Sequence, residues 1–176
     1  RNNNAQLLTS INSEFNWYKK FYINYNLNGG YVASNPTFFT YGDQYNINNP
    51  SKTGYTFVGW TDNNENTPIK NLSIPIYSKN NREYTANWTP IKYSISYETY
   101  GGSHNNPTSY TIENEDIILS APVKSNNKFL GWYDNADFSG EAIERIPKNS
   151  MGNIILYAKW TTNIEISNLT ELIDLV

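Results

Sequence analysis

Cysteine is absent from the 176 residues, which excludes disulfides, thiol nucleophiles and Cys-based zinc sites. Histidine occurs once, as His104, too few for a His-rich metal site. Charge is scarce: Asp, Glu, Lys and Arg make up 16% of the chain, against roughly 25% in an ordinary soluble domain. The balance is −3 with an isoelectric point near 5.1. No nucleic-acid partner is expected, because that affinity comes mainly from basic side chains neutralising phosphates. No apolar run approaches the about 18 residues a membrane span needs, so no membrane insertion is expected. The opening Arg1-Asn2-Asn3-Asn4 lacks a charged-then-apolar leader, and the chain is expected to be a piece of a longer protein. What is abundant is aromatic: 15 Tyr, 7 Phe and 5 Trp, with asparagine the commonest residue. Such a chain can bury a core in spite of its polarity.

Self-comparison is the most informative operation. Lys20-Phe21-Tyr22-Ile23-Asn24-Tyr25 followed by Gly29-Gly30 recurs as Lys92-Tyr93-Ser94-Ile95-Ser96-Tyr97 followed by Gly101-Gly102. Asn35-Pro36-Thr37 recurs as Asn106-Pro107-Thr108, and Pro50 as Pro122. Phe57-Val58-Gly59-Trp60 recurs as Phe129-Leu130-Gly131-Trp132, Ile74-Pro75 as Ile146-Pro147, and Ala86-Asn87-Trp88-Thr89 as Ala158-Lys159-Trp160-Thr161. The offset is 72 residues almost throughout and slips by one at Asn-Pro-Thr. The chain is therefore expected to comprise residues 20–89 as one repeat and 90–161 as a second. Residues 1–19 are either the tail of a preceding unit, as Asn16-Trp17 suggests, or a leader that packs on the first repeat. Residues 162–176 are either a short C-terminal helix over 168–175 or the opening of a further domain. The short link Thr89-Pro90-Ile91, whose proline restricts Thr89, predicts a stiff, elongated pair.

Each repeat opens with a period-two alternation. Phe21, Ile23, Tyr25 and Leu27 share one face, and Tyr22, Asn24, Asn26 and Asn28 the other. That pattern predicts a half-buried strand with one wet side, ended by the Gly-Gly pair. Further strands are expected over 37–41 and 109–112, over 54–60 and 128–133, and over 84–88 and 154–160. The Gly held between the Phe and Trp positions in both copies predicts a close backbone approach or a bulge at Gly59 and Gly131. Residues 61–81 and 133–153 are turn-rich and are expected to hold at most one short helical turn. The fold class is thus β-rich, α+β at most. A unit of this size hides only about 60% of its unfolded surface, and large aromatics fill so small a core efficiently. Trp60, Trp88, Trp132 and Trp160 are accordingly assigned to packing.

No constellation predicts catalysis or a metal. His104 follows a Gly-Gly turn, has no counterpart in the first repeat and reads as a solvated loop residue. The carboxylates Glu113, Glu115, Asp116, Glu141 and Glu144 lie in polar loops with mostly neutral counterparts, unlike a paired acid–base site. Asp62-Asn63-Asn64-Glu65-Asn66 is oxygen-rich but lacks the Gly and Glu of a calcium loop, with Thr67 and Ser73 in their places. A turn capped by Asp and Asn side chains fits better. The sequons at Asn71, Asn87 and Asn168 are background in so Asn-rich a chain. Tyr22, Tyr31, Tyr41, Tyr100 and Tyr110 are the candidate binding residues, because tyrosine combines rigid amphipathic area with a hydroxyl. The alternative is that these rings cover a small core.

The ordered set of strand, Gly-Gly, Asn-Pro-Thr, Gly-Tyr-Thr-Phe-Val-Gly-Trp, Asp-Asn and Tyr-Thr-Ala-Asn-Trp resembles the Listeria–Bacteroides repeat, the family of the internalin B-type B repeats. The second copy departs from the pattern where Gly54-Tyr55-Thr56 becomes Asn126-Asn127-Lys128. The resemblance implies two tandem β-grasp, ubiquitin-like repeats on an extracellular, Gram-positive bacterial surface protein. It implies adhesion, host interaction and spacing of a distal domain, not enzyme activity, and no cofactor. The implied partner is an unidentified protein or glycan of a host or neighbouring cell. Two alternatives stay open: a carbohydrate-binding module using exposed Tyr and Trp, and a structural subunit that self-assembles through its terminal strands.

Overall fold

A computed structural model describes residues 18–62 and 66–162. The chain divides into two compact units between Thr89 and Pro90. In the first unit the strands are β1 (Phe21–Asn26), β2 (Phe38–Phe39), β3 (Tyr45–Asn46), β4 (Tyr55–Asp62), β5 (Ser73–Ile74) and β6 (Arg82–Pro90). In the second they are β7 (Tyr93–Glu98), β8 (Ser109–Tyr110), β9 (Ile117–Ile118), β10 (Asn127–Tyr133), β11 (Arg145–Ile146) and β12 (Ile154–Thr162). No helix occurs among the described residues, and none there could cross a membrane. The segments holding Trp17 and residues 168–175 lie outside the described residues.

Each unit is built on a four-stranded sheet, ordered β2-β1-β6-β4 in the first and β8-β7-β12-β10 in the second. The first and last strands of a unit are parallel neighbours at the sheet centre. Ile23 faces Arg82 and Tyr25 faces Tyr84, just as Ile95 faces Ile154 and Tyr97 faces Leu156. A parallel pair needs a long crossover rather than a tight turn, and here the crossover also supplies the two edge strands of the sheet, β2 and β4 in the first unit and β8 and β10 in the second. Part of that crossover zips into two-stranded ladders, β3 with β5 and β9 with β11.

The alternation expected from sequence is present in both opening strands: Ile23 and Ile95 are buried, Phe21, Tyr25, Tyr93 and Tyr97 are half-buried, and the residues between them are exposed. The cores correspond position by position: Ile23, Phe39, Trp60, Ile74, Tyr84 and Ala86 in one, Ile95, Tyr110, Trp132, Ile146, Leu156 and Ala158 in the other. The second strands are shorter than the β-branched and aromatic run predicts, two residues in each case. The region expected to hold at most a helical turn instead supplies β5 and β11. A two-residue strand is held by its partner and by one buried isoleucine, Ile74 or Ile146, too little for any periodicity to betray it.

The glycine between the Phe and Trp positions does both things expected of it. Gly59 (φ 152°) and Gly131 (φ 150°) have backbone that side chains rarely adopt, and the register of β10 against β12 slips between Phe129 and Gly131. A Cβ on Gly59 would lie 2.7 Å from the Ile69 backbone nitrogen, and one on Gly131 2.6 Å from the Ala142 Cβ. The departure at Asn126 leaves the fold intact: Asn126 (φ 55°) takes up the left-handed conformation of Gly54 (φ 77°), which asparagine tolerates best among residues with a side chain.

The Gly-Gly pair has a second duty that strand termination does not predict. The Trp88 indole lies against Gly30 where a Cβ would collide with it, and Trp160 against Gly102, 2.6 Å from where a Cβ would stand. Each indole N–H donates to the end of the unit's first strand, Trp88 Nε1 to the Leu27 carbonyl (3.0 Å) and Trp160 Nε1 to that of Thr99 (3.0 Å). Phe57 and Phe129 meet these indoles edge-on at 5.3 and 5.5 Å.

Replacing Gly30 with alanine is expected to cost about 1–3 kcal/mol of unfolding free energy, the usual range for forcing a methyl into a filled site. Gly42→Ala, where nothing lies within 4 Å, should stay within about 0.5 kcal/mol of the parent. Urea denaturation followed by tryptophan emission measures both, and equal effects would show that the indole does not need the bare glycine.

Candidate binding surface

The Asn-Pro-Thr motif turns out to be a structural clasp. Asn106 is buried, donates from Nδ2 to the Ser120 carbonyl (2.9 Å) and accepts from the Ser120 N–H (2.7 Å). Asn35 makes the same pair with Asn48, at 3.0 and 2.8 Å. The Pro36 carbonyl accepts from the Tyr25 hydroxyl (2.9 Å), and that of Pro107 from Tyr97 (2.8 Å). Burial pushes the Tyr25 phenol well above its ordinary range, with the Tyr84 phenol beside it adding to the effect. It pushes Tyr97 up to about 12. Tyr84 and Tyr110 are also raised, chiefly by burial. All four of these shifts run away from neutral pH.

His104 is not the solvated loop residue its sequence context predicts. Its ring packs tilted at 46° against Tyr97 with centroids 4.1 Å apart, meets Trp132 edge-on at 5.9 Å, and accepts the Asn106 N–H at Nδ1 (3.1 Å). It closes the clasp over a tyrosine that the second unit shares with the first. Two of the clustered carboxylates are taken up by cations: Glu115 pairs with Lys148 (2.7 Å) and Asp116 with Arg145 (3.2 Å). Among the described residues no group of His, Asp and Glu could hold a metal ion. The Asp62–Asn66 loop lies partly outside the described residues. In its second copy the Asn135 side chain binds the Ser139 N–H and carbonyl and closes a turn.

The five candidate tyrosines do not converge. Tyr110 is a correction: it is 4% exposed, packs in the second core against Tyr93, and donates its hydroxyl to the Gly152 carbonyl (2.6 Å). It lies on β8 at the position of the buried Phe39, so the inward face of a very short strand claims it. Tyr22 is exposed beside Phe38, its register partner on the β1–β2 edge, with Lys20 Nζ 4.2 Å from the Phe38 ring centre. Tyr31, 69% exposed, stands on an isolated backbone bridge to Ser51. Tyr41 is half-buried and tilted against the exposed Tyr77 at 5.0 Å, with Lys79 Nζ 5.3 Å from its centre.

Tyr100 alone belongs to a larger assembly. Its exposed ring meets Phe138 edge-on at 6.3 Å, and Phe138 in turn meets Tyr133 edge-on at 5.7 Å. Lys159 Nζ lies 5.2 Å from the Tyr133 ring centre and 5.8 Å from that of Phe138. Tyr133, Phe138 and Lys159 were not singled out from sequence, although the offset of 72 does reveal Thr61 opposite Tyr133 and Asn87 opposite Lys159.

The chain belongs to the Listeria-Bacteroides repeat domain family, which matches residues 21–86 and 93–159. It is similar to internalin H of Listeria monocytogenes serovar 1/2a, 28% identical over 114 residues, covering 65% of this chain and 20% of that protein. A protein of Evansella cellulosilytica named as a candidate membrane protein is 29% identical over 120 residues, 65% of this chain and 17% of its own length. A second protein of that organism, named for high glycine content and a membrane, is 30% identical over 115 residues, 65% of this chain and 13% of its length. The chain thus spans 20% or less of the length of each of these three relatives. No solved structure matches it significantly.

The raised phenols give a pH dependence of definite sign. The folded state favours the neutral phenol, so the stability this confers is fully present below pH 10.0 and is lost as the pH climbs through about 12 for Tyr97. The urea midpoint is expected to be flat from neutrality to pH 9 and to fall above 10. Tyr97→Phe should lower stability at neutral pH, through loss of the bond to Pro107, yet fall less steeply above pH 10. An equally steep fall in Tyr97→Phe would place the alkaline sensitivity elsewhere.

Proposed function

We propose that the chain is a non-catalytic pair of extracellular repeats from a bacterial surface protein, which holds a distal domain away from the cell and contributes adhesive contacts to a host or neighbouring cell. The observation that carries this reading is the duplication itself: two units of one surface-protein repeat family, each with its own sheet and core. Repeats that each fill their own core can be strung together to set a distance. The relatives' names, an internalin and two proteins named for membranes, support a surface setting, and so does their length, because the matched part is a small fraction of each.

Within that reading each unit is a β-grasp variant. The supporting features are the central parallel pair of first and last strands and the flanking order of the second and fourth. Assembly through the terminal segments has no comparable support, since those segments lie outside the described residues. A glycan-binding role is favoured by one specific observation, the aromatic group around Tyr100, taken up below.

Binding of the fluorescently labelled 176-residue chain to cultured epithelial cells, titrated to saturation and repeated at raised salt, tests the adhesive half. Saturable binding that survives salt is expected, since charge is scarce and exposed pairs are screened. Absence of saturable binding would leave spacing alone. A hydrolase or transferase activity that purifies with the chain would overturn the proposal.

A further inference from the structure

The two units provide an internal control for what the fold requires. Their cores and glycine cradles agree, but one outer sheet face does not. In the second unit that face carries Ile155, Tyr157 and Lys159 on β12, alternating with the buried Leu156 and Ala158, and Tyr133 and Glu98 on the strands either side in register with Tyr157. The first unit has Glu83, Thr85, Asn87 and Thr61 at four of these places and Asn28 at that of Tyr100. Those polar groups are spent on the unit itself. Asn87 Nδ2 donates to the Gly59 and Thr85 carbonyls and to the Thr61 hydroxyl (3.1, 3.0 and 3.0 Å), and Asn28 Nδ2 to the Ala86 carbonyl (3.0 Å). The same fold therefore stands without the aromatic side chains.

Three further features set the second face apart. The loop from Trp132 to its bridge partner Ile143 is longer than that from Trp60 to Ile69, and the added length brings Phe138 to the patch. Phe138 (φ 54°) and Tyr100 (φ 50°) are bulky residues on left-handed backbone, an outlying conformation for them, where the counterpart of Tyr100 is Asn28 (φ 48°), a residue that tolerates it. The core tyrosines Tyr25, Tyr97 and Tyr110 give their hydroxyls to carbonyls, whereas those of Tyr100, Tyr133 and Tyr157 have no partner among the described residues, and neither Lys159 nor Glu98 forms an ion pair there.

We propose that this face, centred on Tyr100, Tyr133, Phe138 and Lys159, binds a neutral glycan. The occupant follows from the mixture. Ring faces hold the apolar C–H face of a pyranose, and edge-to-face packing fixes the rings in advance, so little side-chain freedom is lost on binding. Phenol, ammonium and carboxylate groups can together donate to and accept from sugar hydroxyls. One lysine set against Glu98 and the neighbouring Asp134 provides no excess positive charge to attract an acidic polymer. This proposal rests on the non-catalytic binding role and locates one ligand of it in the second unit alone.

The test is titration of the whole chain with hexamers of β-1,4-linked glucose and of β-1,4-linked N-acetylglucosamine, with linear α-mannan oligomers, and with oligogalacturonate as the acidic comparison. It is followed by amide chemical shifts and calorimetry. At least one neutral oligomer is expected to bind with a dissociation constant on the order of 1 mM, as suits a shallow open site, shifting Tyr100, Tyr133 and Lys159. The double substitution Tyr100→Asn and Tyr133→Thr installs the first unit's residues, with an asparagine suited to φ 50°, and should keep the parent's thermal midpoint while weakening binding about tenfold. Phe138→Asn should weaken it likewise, and Tyr22→Ala should leave it unchanged.

No neutral oligomer bound, preferential binding of oligogalacturonate, or unchanged affinity in the grafted variant would each overturn the proposal. So would sedimentation showing a dimer that the graft dissolves, since the face would then serve a second copy of the chain. The two readings fail separately: cell binding that persists in the graft together with an inert glycan panel leaves adhesion standing and removes only the glycan.

Discussion

The rest of each unit depends on one contact, the indole of the last strand laid on a bare glycine at the end of the first. Trp88 on Gly30 and Trp160 on Gly102 join the two ends of a repeat, and the indole N–H turns the contact into a directional lock on the carbonyl of Leu27 or Thr99. That carbonyl also accepts the N–H of the same glycine, at 2.9 and 3.1 Å. A small domain with a parallel central pair must close a long loop before its central ladder forms, which is costly in chain entropy. A lock between first and last strands offsets that cost where it falls.

Around this lock the unit is organised by aromatic packing and by side chains that imitate backbone. Trp60 and Trp132 are the largest fully buried side chains, and each receives its neighbours edge-on or tilted, Phe57 and Tyr25 in one unit, Phe129 and Tyr97 in the other. The Asn35 and Asn106 amides each engage one residue as a paired strand would, holding the crossover to itself where no ladder can run. The units differ in how they complete this layer. The Trp132 N–H reaches the Ser120 carbonyl (3.1 Å), while the buried Trp60 N–H finds no acceptor among the described residues. The second unit further covers its tyrosine with His104, so one plan is finished with different polar detail.

Duplication of a self-sufficient fold frees its outer surface. Once the lock, the two tryptophans and the Asn clasp secure the core, the residues facing outward carry no packing obligation and can diverge. The first unit uses that freedom for asparagine and threonine that bond among themselves. The second uses it for rings, a longer loop and unspent hydroxyls. The two copies therefore differ most where their structural constraint is weakest.

Much of this was legible in sequence. Strict period-two alternation and the shared order of glycines, tryptophans and the Asn-Pro-Thr motif determine by themselves a tandem β-rich pair, its packing tryptophans, the close backbone approach at Gly59 and the bulge at Gly131, because a half-buried strand must alternate and a residue without a Cβ marks where backbone comes close. Strand pairing, the inward turn of Tyr110 and the seat of Trp88 on Gly30 were not legible, because they bring together residues far apart in the chain. A ring at a strand position looks the same in sequence whether it faces inward or outward when the strand is only two residues long. The aromatic face of the second unit was hidden for the same reason. Tyr100, Tyr133, Phe138 and Lys159 come from a turn, two strands and a loop, and only the register of β7, β12 and β10, with the left-handed backbone at Tyr100 and Phe138, gathers them into one surface.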